Sequence, residues 1–480
     1  MKDLLKHALD VAQVNGATYA DIRIVDHEIQ TINVKNGAVG ALRHRTDYGF
    51  GVRVIANGAW GFASSDEMTK AEIERVAALA VKIAKASALA GGRNVVLSPL
   101  DPVEDVWANP YDIDPFSVSL EDKIELMLKA DAEMRTVKGV TITESSMVCR
   151  RYHQFFASTE GSLIEQTITI TGAGIICTAI QDGTVQVRSF PSSFRGQYQT
   201  RGYELVHELD LVGRAGKCAE EAVALLSAKP CPEGVMDIVL EGSQLALQIH
   251  ESCGHAIELD RVLGYEANFA GTSFLTPDKQ GRLKYGSDIV NLVADATAPN
   301  GLGTFGYDDE GVPAQNIPVV KDGLFVDYMT SRETAPLIGQ RSNGTMRANG
   351  WNNIPLIRMT NVSLLPGDSN LEEMIAGIDH GVYFSTNRSW SIDDKRWDFQ
   401  FGTEIGWEIK NGKLGDMVKN PVYADNTVHF WNSCDAIGNA SEWTLWGTPN
   451  CGKGEPSQVI NTGHGAAPAR FRNINVRRGA

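Results

Sequence analysis

The segment Gln248-Ile249-His250-Glu251-Ser252-Cys253-Gly254-His255 gathers two imidazoles and a carboxylate within six residues. Neutral imidazole nitrogens bind Zn²⁺, and a neighbouring glutamate can take a proton from water that the metal activates. The spacing is His-Glu-x-x-x-His, one residue longer than the His-Glu-x-x-His of many zinc peptidases. On a regular α-helix, positions four apart are offset by about 40° around the axis, and positions five apart by roughly 140°. A helix that brings both histidines to one ion must therefore loosen. A single π turn, with i→i+5 bonding, returns them to one face. Gly254 tolerates such a distortion, so the spacing predicts a bulged or broken helix at Ser252 to His255. The competing reading is a regular helix with one histidine in the core and one at the surface. Ten histidines in 480 residues leave room for that reading.

A catalytic zinc takes a third protein ligand and keeps a fourth position for water. Glu258, Asp260 and Glu266 follow the motif closely; Cys434 and Cys451 are distant candidates. Cys451 lies in Asn450-Cys451-Gly452-Lys453-Gly454, a Gly-flanked loop where backbone can approach an ion. Residue types alone leave Cys451 level with the carboxylates. Cys253 raises the alternative of a cysteine nucleophile, yet nothing in the sequence supplies a third, orienting group. Asp308-Asp309-Glu310 reads as a tight turn with solvated carboxylates rather than a hard-cation site. Gly350-Trp351-Asn352-Asn353 reads as a packed loop ahead of a peptide groove. An oxyanion donor is needed too, with Tyr307, Arg332 and Lys453 as candidates. His464 reads as a loop histidine.

The elements that must position these groups divide the chain into an N-terminal α/β domain (1–97), a Pro-rich linker (98–116), a second α/β segment packing with the first (117–230) and a β-rich domain (231–480). Ala20 to Val34 and Gly49 to Ile55 alternate as strands, with a turn at Asn57-Gly58. Thr69-Lys70-Ala71-Glu72 predicts a capping box opening a helix that runs to about Leu89. Further helices are expected from Ser119 to Arg135 and from Asp210 to Ser227. Met236-Asp237-Ile238-Val239-Leu240 reads as the strand leading into the His-Glu helix. The whole is an α+β protein: mixed α/β units, then a β-rich, Gly-rich catalytic domain carrying the distorted helix.

A net charge of −15 argues against nucleic-acid and anionic-membrane partners. No run of 18 apolar residues is present, and the charged N-terminus lacks a signal-peptide core, so a cytoplasmic protein is expected. Seven cysteines without a CxxC pair do not form a disulfide framework.

His250-Glu251-x-x-x-His255 followed far downstream by Asn450-Cys451-Gly452-Lys453 resembles the TldD/PmbA family of metalloproteases. Gly49-x-Gly51-Val52-Arg53-Val54 with Gly58-x-x-Gly61-Phe62-Ala63, and Gly306 to Pro313, are similar to that family's first and third domains. The resemblance implies one Zn²⁺ per chain held by His250, His255 and Cys451, with Glu251 as general base. Two imidazoles and a thiolate would leave the zinc at net charge +1. It also implies a peptidase of small or unfolded peptides, paired as a homodimer or with a related, motif-less subunit. A peptide bound as an extended strand fits the strand-rich domain. Two alternatives stay open: a zinc hydrolase of a non-peptide amide, and a non-catalytic partner subunit whose structural zinc takes a fourth protein ligand, Cys434 or Cys253.

Overall fold

In the computed structural model, which describes residues 1–479, two long hairpins build the N-terminal half. Tyr19–Lys35 pairs antiparallel with Ala38–Ala56, and Val140–Ser158 with Leu163–Gln181. The two hairpins join edge to edge from Asp21 opposite Ser158 to Lys35 opposite Glu144. Segments on both sides of the Pro-rich stretch thus share one eight-stranded sheet. That stretch itself contributes the strand Glu104–Ala108, parallel to Leu163–Gln181.

Helices cover the sheet at its two ends. Lys2–Val14 and Lys70–Ala88 bury Leu5, Ile73, Val76 and Val81 against Ile22, Ile24, Phe50 and Val52. Leu120–Thr136 and Leu211–Ser227 bury Met127, Met134 and Ala219 against Ile32, Met147 and Ile175. The helix starts follow the sequence: Thr69, Ser119 and Asp210 each accept from a backbone N–H three residues on. Only half of the expected capping box at Thr69 forms. The Glu72 carboxylate turns instead to the Arg75 guanidinium, a charged fork that outcompetes a backbone amide.

In the C-terminal half, strand pairing closes on itself. The ring runs His380–Ile392, Gly234–Leu240, Ala469–Arg478, Pro421–Asn426, Asp398–Lys410 and back to His380–Ile392. Closure leaves the ring no free edge. Phe384, Phe399, Phe401, Tyr423, Phe430 and Phe471 interlock against it, with Phe430 stacked 4.0 Å from Phe471. Beside it lies a six-stranded sheet in the order Leu324–Phe325, Asn316–Lys321, Leu292–Asp295, Asn361–Leu364, Gln458–Ala466, Thr444–Lys453. The helix Gly242–Ile249 follows the ring strand Gly234–Leu240 directly and is buried along its whole length. Among the described residues no helix is long and apolar enough to cross a membrane.

Asp308-Asp309-Glu310 is not a solvated turn. All three carboxylates are buried, and each is consumed locally. Asp308 accepts from the backbone of Glu310, Val312 and Met346. Glu310 accepts from Arg53 and from the Arg332 backbone, tying this loop to the N-terminal sheet. Arg23 donates to the carbonyls of Gly350 and Asn353, so that loop packs on the same sheet.

Candidate metal centre

The helix Gly242–Ile249 passes into a π turn over His250–Gly254, where the His255 N–H donates to the His250 carbonyl at 3.1 Å. The i→i+5 bond takes up the extra residue of the motif, as the spacing requires. Anchors upstream hold the turn in place. Gln244 donates to the Tyr423 hydroxyl, which donates to Gln248, and Ser252 accepts from the Trp431 indole. Gly254 is needed for space: a Cβ there would stand 2.3 Å from the Met359 sulfur. Its φ is not left-handed, so close packing, more than conformational freedom, explains the glycine.

The turn brings His250, His255 and Cys451 together with their donor atoms within 4.8 Å of one another, all buried. Cys451 comes from Thr444–Lys453, the terminal strand of its sheet, at a register shift between Thr448 and Cys451. Its sulfur lies 3.7 Å from His255 Nε2. Zinc bonds of about 2.0–2.1 Å to nitrogen and about 2.3 Å to sulfur, at a tetrahedral angle, place those atoms roughly 3.6 Å apart. The donor set fits the ion.

The ring nitrogens facing away from the cluster fix which nitrogen of each histidine is free. His255 Nδ1 lies 2.9 Å from a Glu258 carboxylate oxygen, so Nδ1 carries the hydrogen and Nε2 keeps its lone pair. His250 Nδ1 lies 2.7 Å from His464 Nε2. His464 Nδ1 in turn lies 2.9 Å from the Val362 carbonyl, which only accepts. His464 is fully buried and burial holds its pKa well below the usual value, so the ring is neutral and its Nε2 is an acceptor. The hydrogen between the rings therefore sits on His250 Nδ1, leaving His250 Nε2 open to a metal. His464 is no loop histidine; it stands on Gln458–Ala466, paired with the strand of Cys451.

Burial likewise depresses the pKa of His250 and, more strongly, of His255. Burial alone would push the Cys451 thiol up, but nearby positive charge, the Arg358 guanidinium included, outweighs it, and its pKa is lowered. Neutral imidazoles beside a readily ionised thiol are the protonation states a zinc site uses. Beneath His255, Glu258 sits in a buried cluster with Arg261, Glu266, Asp260 and Lys453. Glu258, Asp260 and Glu266 thus orient and balance charge, and none joins the ligand group.

Glu251 also stands outside that group. One of its oxygens accepts from Arg396 Nη1 at 2.9 Å. Arg396, which no local sequence pattern singles out, is buried and has its Nε without a partner. The oxyanion candidates are occupied elsewhere: Tyr307 donates to Asp105, Arg332 to Glu160 and the Ser98 carbonyl, and Lys453 to Asp260 and the Ile357 carbonyl. Cys253 lies in the core beside Tyr285, its thiol pushed up to about 12 by burial, which suits neither nucleophile nor ligand. The Cys434 sulfur turns to the Ala436 carbonyl.

Two histidines, one cysteine and an adjacent glutamate, with no fourth protein ligand among the described residues, define a metallohydrolase-type centre. Family comparisons narrow this. Profiles of the PmbA/TldA metallopeptidase domain 1, central domain and C-terminal domain match residues 20–84, 113–229 and 233–478. A metalloprotease of Methanocaldococcus jannaschii is 30% identical over 93% of this chain and 95% of its own length. A zinc metalloprotease TldD homolog of Saccharolobus solfataricus is 25% identical over 89% of this chain and 90% of its own. TldE from Thermococcus kodakarensis shares the fold, with a TM-score of 0.74 at 15% identity over 98% of this chain and 99% of that one. The chain belongs to the PmbA/TldD family and is a metallopeptidase.

Proposed function

We propose that the chain is a zinc-dependent peptidase in which His250, His255 and Cys451 hold the ion and Glu251 acts as general base on small or unfolded peptides. The observation that carries this is the π turn, which delivers both imidazoles beside a thiol while keeping Glu251 out of the ligand group. When bound, zinc supplies Lewis acidity toward water and the scissile carbonyl. Glu251 takes the attacking water's proton through the oxygen Arg396 leaves free, and later passes it to the leaving amine. Arg396 fixes the carboxylate and offers its Nε to the developing oxyanion. His464 and Glu258 hold the imidazoles in the ligating tautomer.

The peptide adds as an extended strand. The strand-rich C-terminal domain supports that mode of recognition. A homodimer or a pair with a related subunit, in the cytoplasm, belongs to the same reading. With no fourth ligand among the described residues, catalysis is favoured over a structural zinc. Elemental analysis and peptide cleavage test it together. Near-stoichiometric zinc in wild type, lost in Cys451→Ala, with Glu251→Gln keeping zinc but losing cleavage, is the expected result. Cleavage surviving in Glu251→Gln would remove the mechanism.

A further inference from the structure

A cavity of about 280 Å³ lies between the N-terminal sheet and the strand pair that carries Cys451. Its apolar wall includes Ile168, Phe305 and Ile460. Ile460 is the cross-strand partner of Cys451, so the cavity lies one strand from the ligand sulfur. Three arginines, Arg45, Arg150 and Arg347, line it, against one carboxylate, Asp309.

Asp309 is already satisfied by Gln154, the Ala348 N–H and Arg23 at 3.5 Å. Among the described residues none of the three arginines has a carboxylate within ion-pair distance (4.0 Å). Arg347 donates to the Met359 carbonyl and Arg150 to Asn461, yet each has a buried Nε with no partner. Burial, then the nearby Arg358, draws Arg347 down to about 9. Arg45 is exposed, whereas Arg150 and Arg347 are half-buried, and a cation drawn partly out of water without a counterion is unfavourable until an anion arrives. A planar guanidinium matches a carboxylate in two parallel hydrogen bonds.

We propose that this cavity is a carboxylate subsite of the peptidase, taking the free C-terminal carboxylate of the substrate together with an apolar terminal side chain. The proposal rests on the peptidase reading and adds the substrate class: peptides cut near a free, apolar C-terminus.

Matched peptides ending in a free acid or an amide test it, both in turnover by the zinc-loaded wild type and in calorimetric binding to Glu251→Gln. Wild type should favour the acid at least tenfold in kcat/KM, and Glu251→Gln should bind it at least tenfold tighter. Arg347→Met should cleave both alike and retain zinc. Arg150→Met, a second variant should the first not fold, should narrow the preference. Equal handling of acid and amide by wild type, or discrimination untouched in both variants, overturns the proposal. A preference that follows a glutamate placed within an amidated peptide keeps the carboxylate chemistry and overturns the C-terminal source. No cleavage of either peptide, with acid-selective binding intact, would count against the peptidase reading and leave the subsite standing.

Discussion

Replacing His464 tests whether the ring behind His250 sets the metal site. His464→Leu removes the acceptor facing His250 Nδ1 and leaves the Val362 carbonyl without its donor. Loss of a partner behind a ligating histidine lowers metal affinity roughly 10- to 100-fold, about 1.4–2.7 kcal/mol. The orphaned carbonyl should destabilise the fold by a further 1–3 kcal/mol or so. His464→Gln separates the two effects. Its Oε1 can accept from His250 Nδ1 while its Nε2 donates to Val362, reproducing both bonds with the same polarity. Zinc affinity measured by chelator competition near pH 7.5, beside chemical unfolding of the metal-free protein, reads them independently. The expected order of zinc affinity is wild type, then Gln, then Leu. A Leu variant that holds zinc as wild type does, or a Gln variant no better than Leu, would refute the tautomer argument.

Arg396→Met should retain zinc and lower kcat by about two to three orders of magnitude, in the range of losing one oxyanion donor; a change confined to KM would remove Arg396 from the chemistry. Gly254→Ala forces a Cβ against the Met359 sulfur and should destabilise by about 1–3 kcal/mol, visible in urea unfolding. Glu266 is raised to about 7 by burial and by Glu258. Its folded form binds the proton more tightly than the unfolded chain, so this contribution to stability is complete below about pH 4.5 and fades as pH rises to about 7. Fixed as neutral by Glu266→Gln, the protein should gain up to about 3 kcal/mol at pH 8 and little at pH 4.5; parallel pH–stability curves for the two proteins would contradict it.

What was legible in the sequence follows the range of the interactions involved. Three helix starts, the turn at Asn57-Gly58, and the strands at Ala20 and Met236 are decided by neighbours a few residues away. The π turn was equally local, since a five-residue spacing admits few geometries that serve one ion. Its supports were not. His464 stands 214 positions from the ring it holds, and Arg396 is 145 positions from Glu251. A lone histidine or arginine carries no signal of such a partner. Asp308-Asp309-Glu310 misled for the same reason. Three adjacent acids look solvated until the distant Arg53, Arg332 and Arg23 are folded onto them.

Charge shows the limit most clearly. A net −15 points, as a sum, toward cationic ligands. Potential inside a cleft, however, is set by the groups lining it and by their low-dielectric walls. Much of the buried acid here is neutralised on site: Glu310 by Arg53, Glu404 by Arg188, Glu258 by Arg261 and Lys453. Arg45, Arg150 and Arg347, none with a carboxylate within ion-pair distance, converge on one cavity beside Cys451. Global acidity and a locally cationic subsite are therefore compatible, and the sign that matters for a substrate is the local one.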